Sequence, residues 1–229
     1  MAGNIEIIAQ YDKYSGSIFK IPCNLIIFGG CYSGKTFFCQ RLLQYKNMYF
    51  HNPPENIVFF YKEYQKIYDE LKIYFGEKIQ FIKGVSNTKL RSVRDAICVY
   101  DDCLADINYD MIQNWYAGSQ HRSLINLFLS QSVYFGENLK HIRRISNYFI
   151  FLNSIESASI FRLMQNYLEK SEMIKFKKSF NEIMSMSEYN HLICDFHPRT
   201  KNLLRYKFDI WEMLNTYSIE EYRIVKIRE

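Results

Sequence analysis

Apolar residues along the chain form short unbroken runs, and between the runs they recur at every third or fourth position. Cys23–Phe28 (CNLIIF) is apolar almost throughout, which predicts a strand buried on both faces. The same pattern predicts strands at Asn56–Phe60, Ile79–Ile82, Ala96–Tyr100, Leu124–Leu129 and Tyr148–Leu152. Helical spacing predicts helices over Thr36–Lys46, Lys62–Phe75, Glu156–Leu168 and Glu172–Met186. Strands that are apolar throughout and alternate with helices imply an α/β fold, with a mainly parallel central sheet flanked by helices. Near the C-terminus, Leu192–Phe196 and Leu203–Ile210 flank a turn around Pro198 and predict a β-hairpin extending the sheet edge. The charged tail from Ser218 reads as helical. No repeat, low-complexity tract or linker interrupts the chain. One domain is therefore expected over residues 1–229, with its core at about residues 20–155 and a helical and hairpin extension at 156–229.

Composition narrows this only slightly. A chain of 229 residues with 48% hydrophobic content can bury a sizeable core. A net charge of +5 permits a polyanionic partner without demanding one. The six cysteines, Cys23, Cys31, Cys39, Cys98, Cys103 and Cys194, include no C-x-x-C pair, which argues against a zinc site. No run approaches the roughly 20 apolar residues of a membrane span, so no membrane partner is expected. Free thiols without a signal-peptide pattern point to a reducing compartment.

The strand at Cys23–Phe28 is followed by GGCYSGKT. Gly29-x-x-x-x-Gly34-Lys35-Thr36 fits the phosphate-binding P-loop (Walker A) pattern. Glycines let the backbone close around phosphate oxygens, and successive N–H groups with the helix N-terminus supply positive partial charge. The nucleotide-binding candidates are Gly29, Gly30, Cys31, Tyr32, Ser33, Gly34, Lys35 and Thr36. Lys35 is expected on the β- and γ-phosphates and Thr36 on Mg²⁺. Four fixed positions match by accident in about 1 of 100 chains this long, and the flanking strand and helix patterns cut that further. Cys31, inside the loop, is expected to be a buried, inert thiol.

Ala96–Tyr100 ends in Asp101-Asp102, the pattern of a Walker B strand. Asp101 is expected to support Mg²⁺, and Asp102 to act as general base on the attacking water. The other reading, a solvated acidic turn, loses ground because a P-loop lies upstream. The absence of an Asn-Lys-x-Asp motif argues against an ordinary GTPase. Leu124–Leu129 ends in Ser130-Gln131. In additional-strand P-loop NTPases of the RecA-like kind, a strand lies between the P-loop and Walker B strands and carries a polar sensor at its tip, a role that suits the Gln131 amide. An arginine supplied by a neighbouring subunit completes many such sites; Arg122, Arg143 and Arg144 are the candidates.

Taken together, these segments resemble the FtsK–HerA-type genome-packaging ATPases of poxviruses, other large DNA viruses, virophages and Polinton-like elements. Gly29–Thr36 matches the first motif of that family, and Val99-Tyr-Asp101-Asp102-Cys-Leu its Asp-Asp Walker B. Gly118-Ser-Gln-His121-Arg122 with Leu124–Gln131 resembles its Gly/His/Arg segment and Gln-tipped strand. Arg143-Arg144-Ile-Ser-Asn147 with the following aromatic strand, and the hairpin with Asp195, Thr200 and Leu204-Arg205-Tyr206, complete the match over roughly residues 20–212. The resemblance implies an oligomeric, ring-shaped ATPase using ATP and Mg²⁺ to drive double-stranded viral DNA into a preformed capsid during virion assembly. Implied partners are double-stranded DNA, further copies of the chain, and the capsid or portal vertex. Implied locations are the host cytoplasm (viral factory), the nucleus or the virion. DNA contact would be mainly to phosphates, and Lys170–Lys178 is a basic candidate segment, although a solvated helix face reads as well. A cellular-type DNA helicase or translocase of the same superfamily, and a non-hydrolysing nucleotide-binding regulatory subunit, remain the alternatives.

Overall fold

The computed structural model describes residues 18–118, 121–134, 136–200, 205–208 and 210–211. The six predicted strands form as β1 (Cys23–Phe28), β2 (Asn56–Tyr61), β3 (Ile79–Lys83), β4 (Ala96–Asp101), β5 (Leu124–Ser130) and β6 (Tyr148–Leu152). They are joined by β7 (His191–Asp195) and β8 (Tyr206–Phe208). Among the described residues these strands make one eight-stranded sheet in the order β3-β2-β4-β5-β1-β6-β7-β8. From β3 to β6 all pairing is parallel; β7 runs antiparallel to β6, and β8 to β7. The predicted edge hairpin is thus present, although residues 201–204 and 209, like the tail from Ser218, lie outside the described residues.

Because side chains alternate along a strand, each central strand feeds two cores. Phe28, Phe60, Tyr100, Phe128 and Phe151 point to one face. Leu25, Ile27, Phe59, Val99, Leu127 and Ile150 point to the other. The second face is covered by α1 (Lys35–Gln44), the short α2 (Lys46–Tyr49) and α3 (Ile67–Phe75), through Phe38, Cys39, Leu42, Leu43, Tyr49, Tyr68 and Leu71. The first face is covered by α4 (Asn87–Ser92), α5 (Tyr109–Gly118), α6 (Glu137–Ile145), α7 (Ser157–Met164) and α8 (Lys170–Met186). The buried residues of α8, Met173, Phe176, Phe180, Ile183 and Met184, keep helical spacing, and a Glu169–Glu172 capping box closes its start.

Some boundaries differ from the sequence expectation. The helix expected over Thr36–Lys46 divides at Tyr45, where Lys46 turns inward to the Pro54 carbonyl and Glu55 carboxylate. The helix expected from Lys62 begins only at Ile67. Helices α4, α5 and α6 are additional to those expected from the sequence; α4 buries only Leu90. No helix among the described residues is long and apolar enough to cross a membrane.

Candidate nucleotide-binding site

Parallel strands bring their C-terminal ends to one edge of the sheet, where ligands of open α/β folds bind. β1 ends there in the phosphate loop, β4 in Asp101-Asp102, β5 in Ser130-Gln131 and β6 in Asn153-Ser154. β5 lies between β1 and β4, as expected of an additional-strand fold.

The loop itself is pinned from two strands. Gly29 N–H donates to the Ser130 carbonyl (3.0 Å) and Gly30 N–H to Ser154 Oγ (2.8 Å). A Cβ on Gly29 would collide with Ser33 Oγ and lie 2.9 Å from Lys35 Cγ, so only glycine lets the loop close this tightly. Gly34 takes φ 84°, and α1 starts there with no side-chain cap and no acidic residue in its first turn. The uncapped N–H groups and the positive end of the helix dipole are therefore free for an anion. Ser33 Oγ is buried without a hydrogen-bond partner, a further polar atom that a bound phosphate would satisfy.

Lys35 is buried on the first turn of α1, and its Nζ donates to the Gly30 carbonyl at 2.7 Å, folded back across the loop. Burial lowers its pKa, and the neighbouring Asp102 and Asp101 partly offset this. Thr36 Oγ1 donates to Asp101 Oδ2 at 3.1 Å. A hydroxyl placed so can give its proton to the carboxylate and keep its lone pairs for a cation. Burial pushes the Asp101 carboxyl above its ordinary pKa, while hydrogen bonds from Tyr68 and Thr36 pull it back. Asp102 is exposed and sits at φ 54°, a left-handed conformation unusual for a residue with a side chain. Its Oδ1 accepts from Gln131 Nε2 at 2.8 Å. Gln131 Oε1 in turn accepts from Cys31 Sγ at 3.4 Å.

The site therefore joins the glycine-rich loop, the Asp101-Asp102 carboxylates and Gln131 by direct contacts. A triphosphate fits the loop. A hard divalent cation fits Thr36 and Asp101, with phosphate oxygens and waters completing its shell, as Mg²⁺ prefers. Cys31 corrects one expectation: it is exposed, not buried, because the loop tip carries it to the surface beside Gln131. Tyr32, at φ 58°, is fully exposed next to it.

The three candidate arginines lie in different places. Arg122 precedes β5, at the sheet edge opposite the P-loop, and its Nη1 donates to the Leu90 carbonyl at 2.6 Å. Arg143 on α6 donates to the Val133 carbonyl and lies over the Tyr134 ring at 4.9 Å. Arg144 is exposed. Residues 119–120 of the segment before Arg122 lie outside the described residues. Two site residues escape sequence reading. Tyr68, which donates to Asp101, reads as an ordinary apolar-face aromatic, and Ser154, which accepts from Gly30, reads as a loop serine.

No family model matches the sequence, and no curated protein matches it. Solved structures do share its fold. The DNA-packaging ATPase B204 from Sulfolobus Turreted Icosahedral Virus superimposes with a TM-score of 0.55 at 12% identity, covering 81% of this chain and 96% of that one. The genome packaging NTPase B204 from Sulfolobus turreted icosahedral virus 2, in complex with AMPPCP, gives 0.53 at 13% identity, with 81% and 96% covered. The same protein in complex with sulfate gives 0.54 at 13% identity, with 81% and 94% covered. At such identity the likeness is one of architecture: the chain has the fold of a P-loop ATPase, a mainly parallel sheet flanked by helices with antiparallel strands at its C-terminal edge.

Proposed function

We propose that the protein hydrolyses ATP to package double-stranded viral DNA into a preformed capsid, as an FtsK–HerA-type motor. The observation that carries hydrolysis is the bridge from Gln131, just past the end of the strand between β1 and β4, to Asp102 beside the phosphate loop. A merely nucleotide-binding loop needs no such bridge. The fold shared with viral packaging NTPases supports packaging, as does the order of motifs along the chain.

In this reading the loop N–H groups and Lys35 hold the phosphates, Lys35 leaving the Gly30 carbonyl to do so. Thr36 and Asp101 would hold Mg²⁺, which would supply charge neutralisation to the bound phosphates. Asp102 orients the attacking water and accepts its proton, and Gln131 fixes Asp102 and senses the γ-phosphate. An arginine from a neighbouring copy in a ring, drawn from Arg122, Arg143 and Arg144, completes the site. DNA is gripped through its phosphates, and the capsid or portal vertex receives it. The protein then works in a host-cell viral factory, in the nucleus or on the virion.

The test is ATP hydrolysis at several protein concentrations, with and without double-stranded DNA, beside Lys35→Ala and Asp102→Asn. Turnover should rise with DNA and with concentration, and both variants should abolish it. Folded protein that binds ATP yet never turns over on DNA would overturn the motor reading.

A further inference from the structure

Tyr68 is fully buried on the inner face of α3, and its hydroxyl donates to Asp101 Oδ2 at 2.9 Å. Its ring is held on several sides. Phe81 stacks on it at 5.3 Å, Phe59 lies tilted at 4.9 Å, and Tyr64 meets it edge-on at 5.3 Å. A phenylalanine would fill this volume without desolvating a hydroxyl. The polar atom is accounted for by the carboxylate it meets.

Thr36 Oγ1 donates to the same Oδ2 at 3.1 Å. Two hydroxyls, one from α1 and one from α3, thus tie down one oxygen of Asp101. The other oxygen, Oδ1, accepts no hydrogen bond among the described residues. A carboxylate fixed this way presents one free oxygen in a set direction, as a cation or its bound water requires.

We propose that Tyr68 is a positioning residue that holds Asp101 in the orientation in which it supports the nucleotide-bound divalent cation. The inference rests on reading the loop as a Mg²⁺–triphosphate site and adds a part to it. The aromatic cage fixes the phenol, the phenol fixes Oδ2, and Oδ1 stays available. Thr36 adds a second hydrogen bond to the same oxygen while its lone pairs stay available for the cation.

The test uses the full chain with Tyr68→Phe, which removes one oxygen from an otherwise unchanged ring. Mn²⁺ binding is titrated by electron paramagnetic resonance with saturating ADP, and ADP affinity is measured separately in excess chelator. The Mn²⁺ dissociation constant should rise about 10- to 100-fold, the usual effect of losing a partner that orients a metal ligand. ADP affinity without metal should stay within about twofold, a split that general loosening of the fold would not produce. Wild-type Mn²⁺ affinity in a cooperatively melting Tyr68→Phe overturns the proposal. If that variant does not fold, Phe81→Leu decides: it removes the stacked ring, leaves the hydroxyl, and should weaken Mn²⁺ by roughly threefold or more. No change in Phe81→Leu then overturns the proposal. Failure of the underlying reading looks different, because the wild-type chain would itself bind no Mn²⁺ in the presence of ADP.

Discussion

Lys207→Met should destabilise the protein strongly without touching the nucleotide site. Asp195 is 1% exposed at the end of β7. Its Oδ2 accepts from Lys207 Nζ at 2.5 Å and from Thr200 Oγ1 at 3.0 Å, and its Oδ1 from the His197 N–H at 2.9 Å. Methionine keeps most of the lysine stem, so the loss is the charge rather than the packing. The carboxylate is then left with neutral donors only, and breaking a buried pair from one side costs about 3–5 kcal/mol. For a domain of this size that is a fall in melting temperature of about 6–20 °C. The pair sits where β7 meets the first residue of β6, at the sheet end opposite the phosphate loop. ADP affinity measured well below the transition should therefore be unchanged. Urea unfolding monitored by fluorescence gives the stability directly, and Asp195→Asn/Lys207→Met should recover at least about half of the single-variant loss. A Lys207→Met loss below about 1 kcal/mol, or a double variant no better than the single, would refute the reasoning.

Gln131→Ala should lower kcat by about 100-fold and leave nucleotide affinity within about threefold, because it removes the group that fixes Asp102; an unchanged kcat in steady-state assays would count against the sensor role. Cys31 is exposed and the five other cysteines are buried, so a maleimide should label one thiol in the native protein, located by peptide mass mapping, and saturating ATP should slow the labelling. Burial, reinforced by Arg41, holds the His191 pKa down at about 3 against its ordinary 6.5. The unfolded chain therefore takes up this proton first: the contribution to stability is full above pH 6.5 and is lost as pH falls, by about 2 kcal/mol at pH 5. His191→Gln should reduce by that amount the fall in urea-unfolding free energy between pH 7.5 and pH 5.

Much of the functional edge was legible in the sequence because its elements are local. An apolar run must be buried, a Gly-rich turn can close on phosphate, and acids or amides at strand ends lie at the rim. Gly29–Thr36, Asp101, Asp102 and Gln131 could each be read from the residues beside them, and the structure brings them into contact. The helix α4 could not be read, because six residues with one buried position carry little periodicity; α5 and α6 do carry it, in Ile112 with Trp115 and in Leu139 with Ile142, and the sequence reading passes over them. Cys31 was misjudged for a related reason: exposure depends on how the loop tip projects, which no neighbouring residue encodes.

Local residue pattern is enough to say which strands are buried and which of their ends carry the glycine loop, the paired acids and the amide. Tertiary structure alone decided who stands beside whom. The Tyr68 hydroxyl meets Asp101 only because the parallel pairing of β2 with β4 seats α3 beside the end of β4. Ser154 reaches Gly30 only because β6 pairs with β1 in a register that ends both strands together. These contacts join residues far apart in the chain, where hydrophobic periodicity carries no information about which partner a polar atom will find.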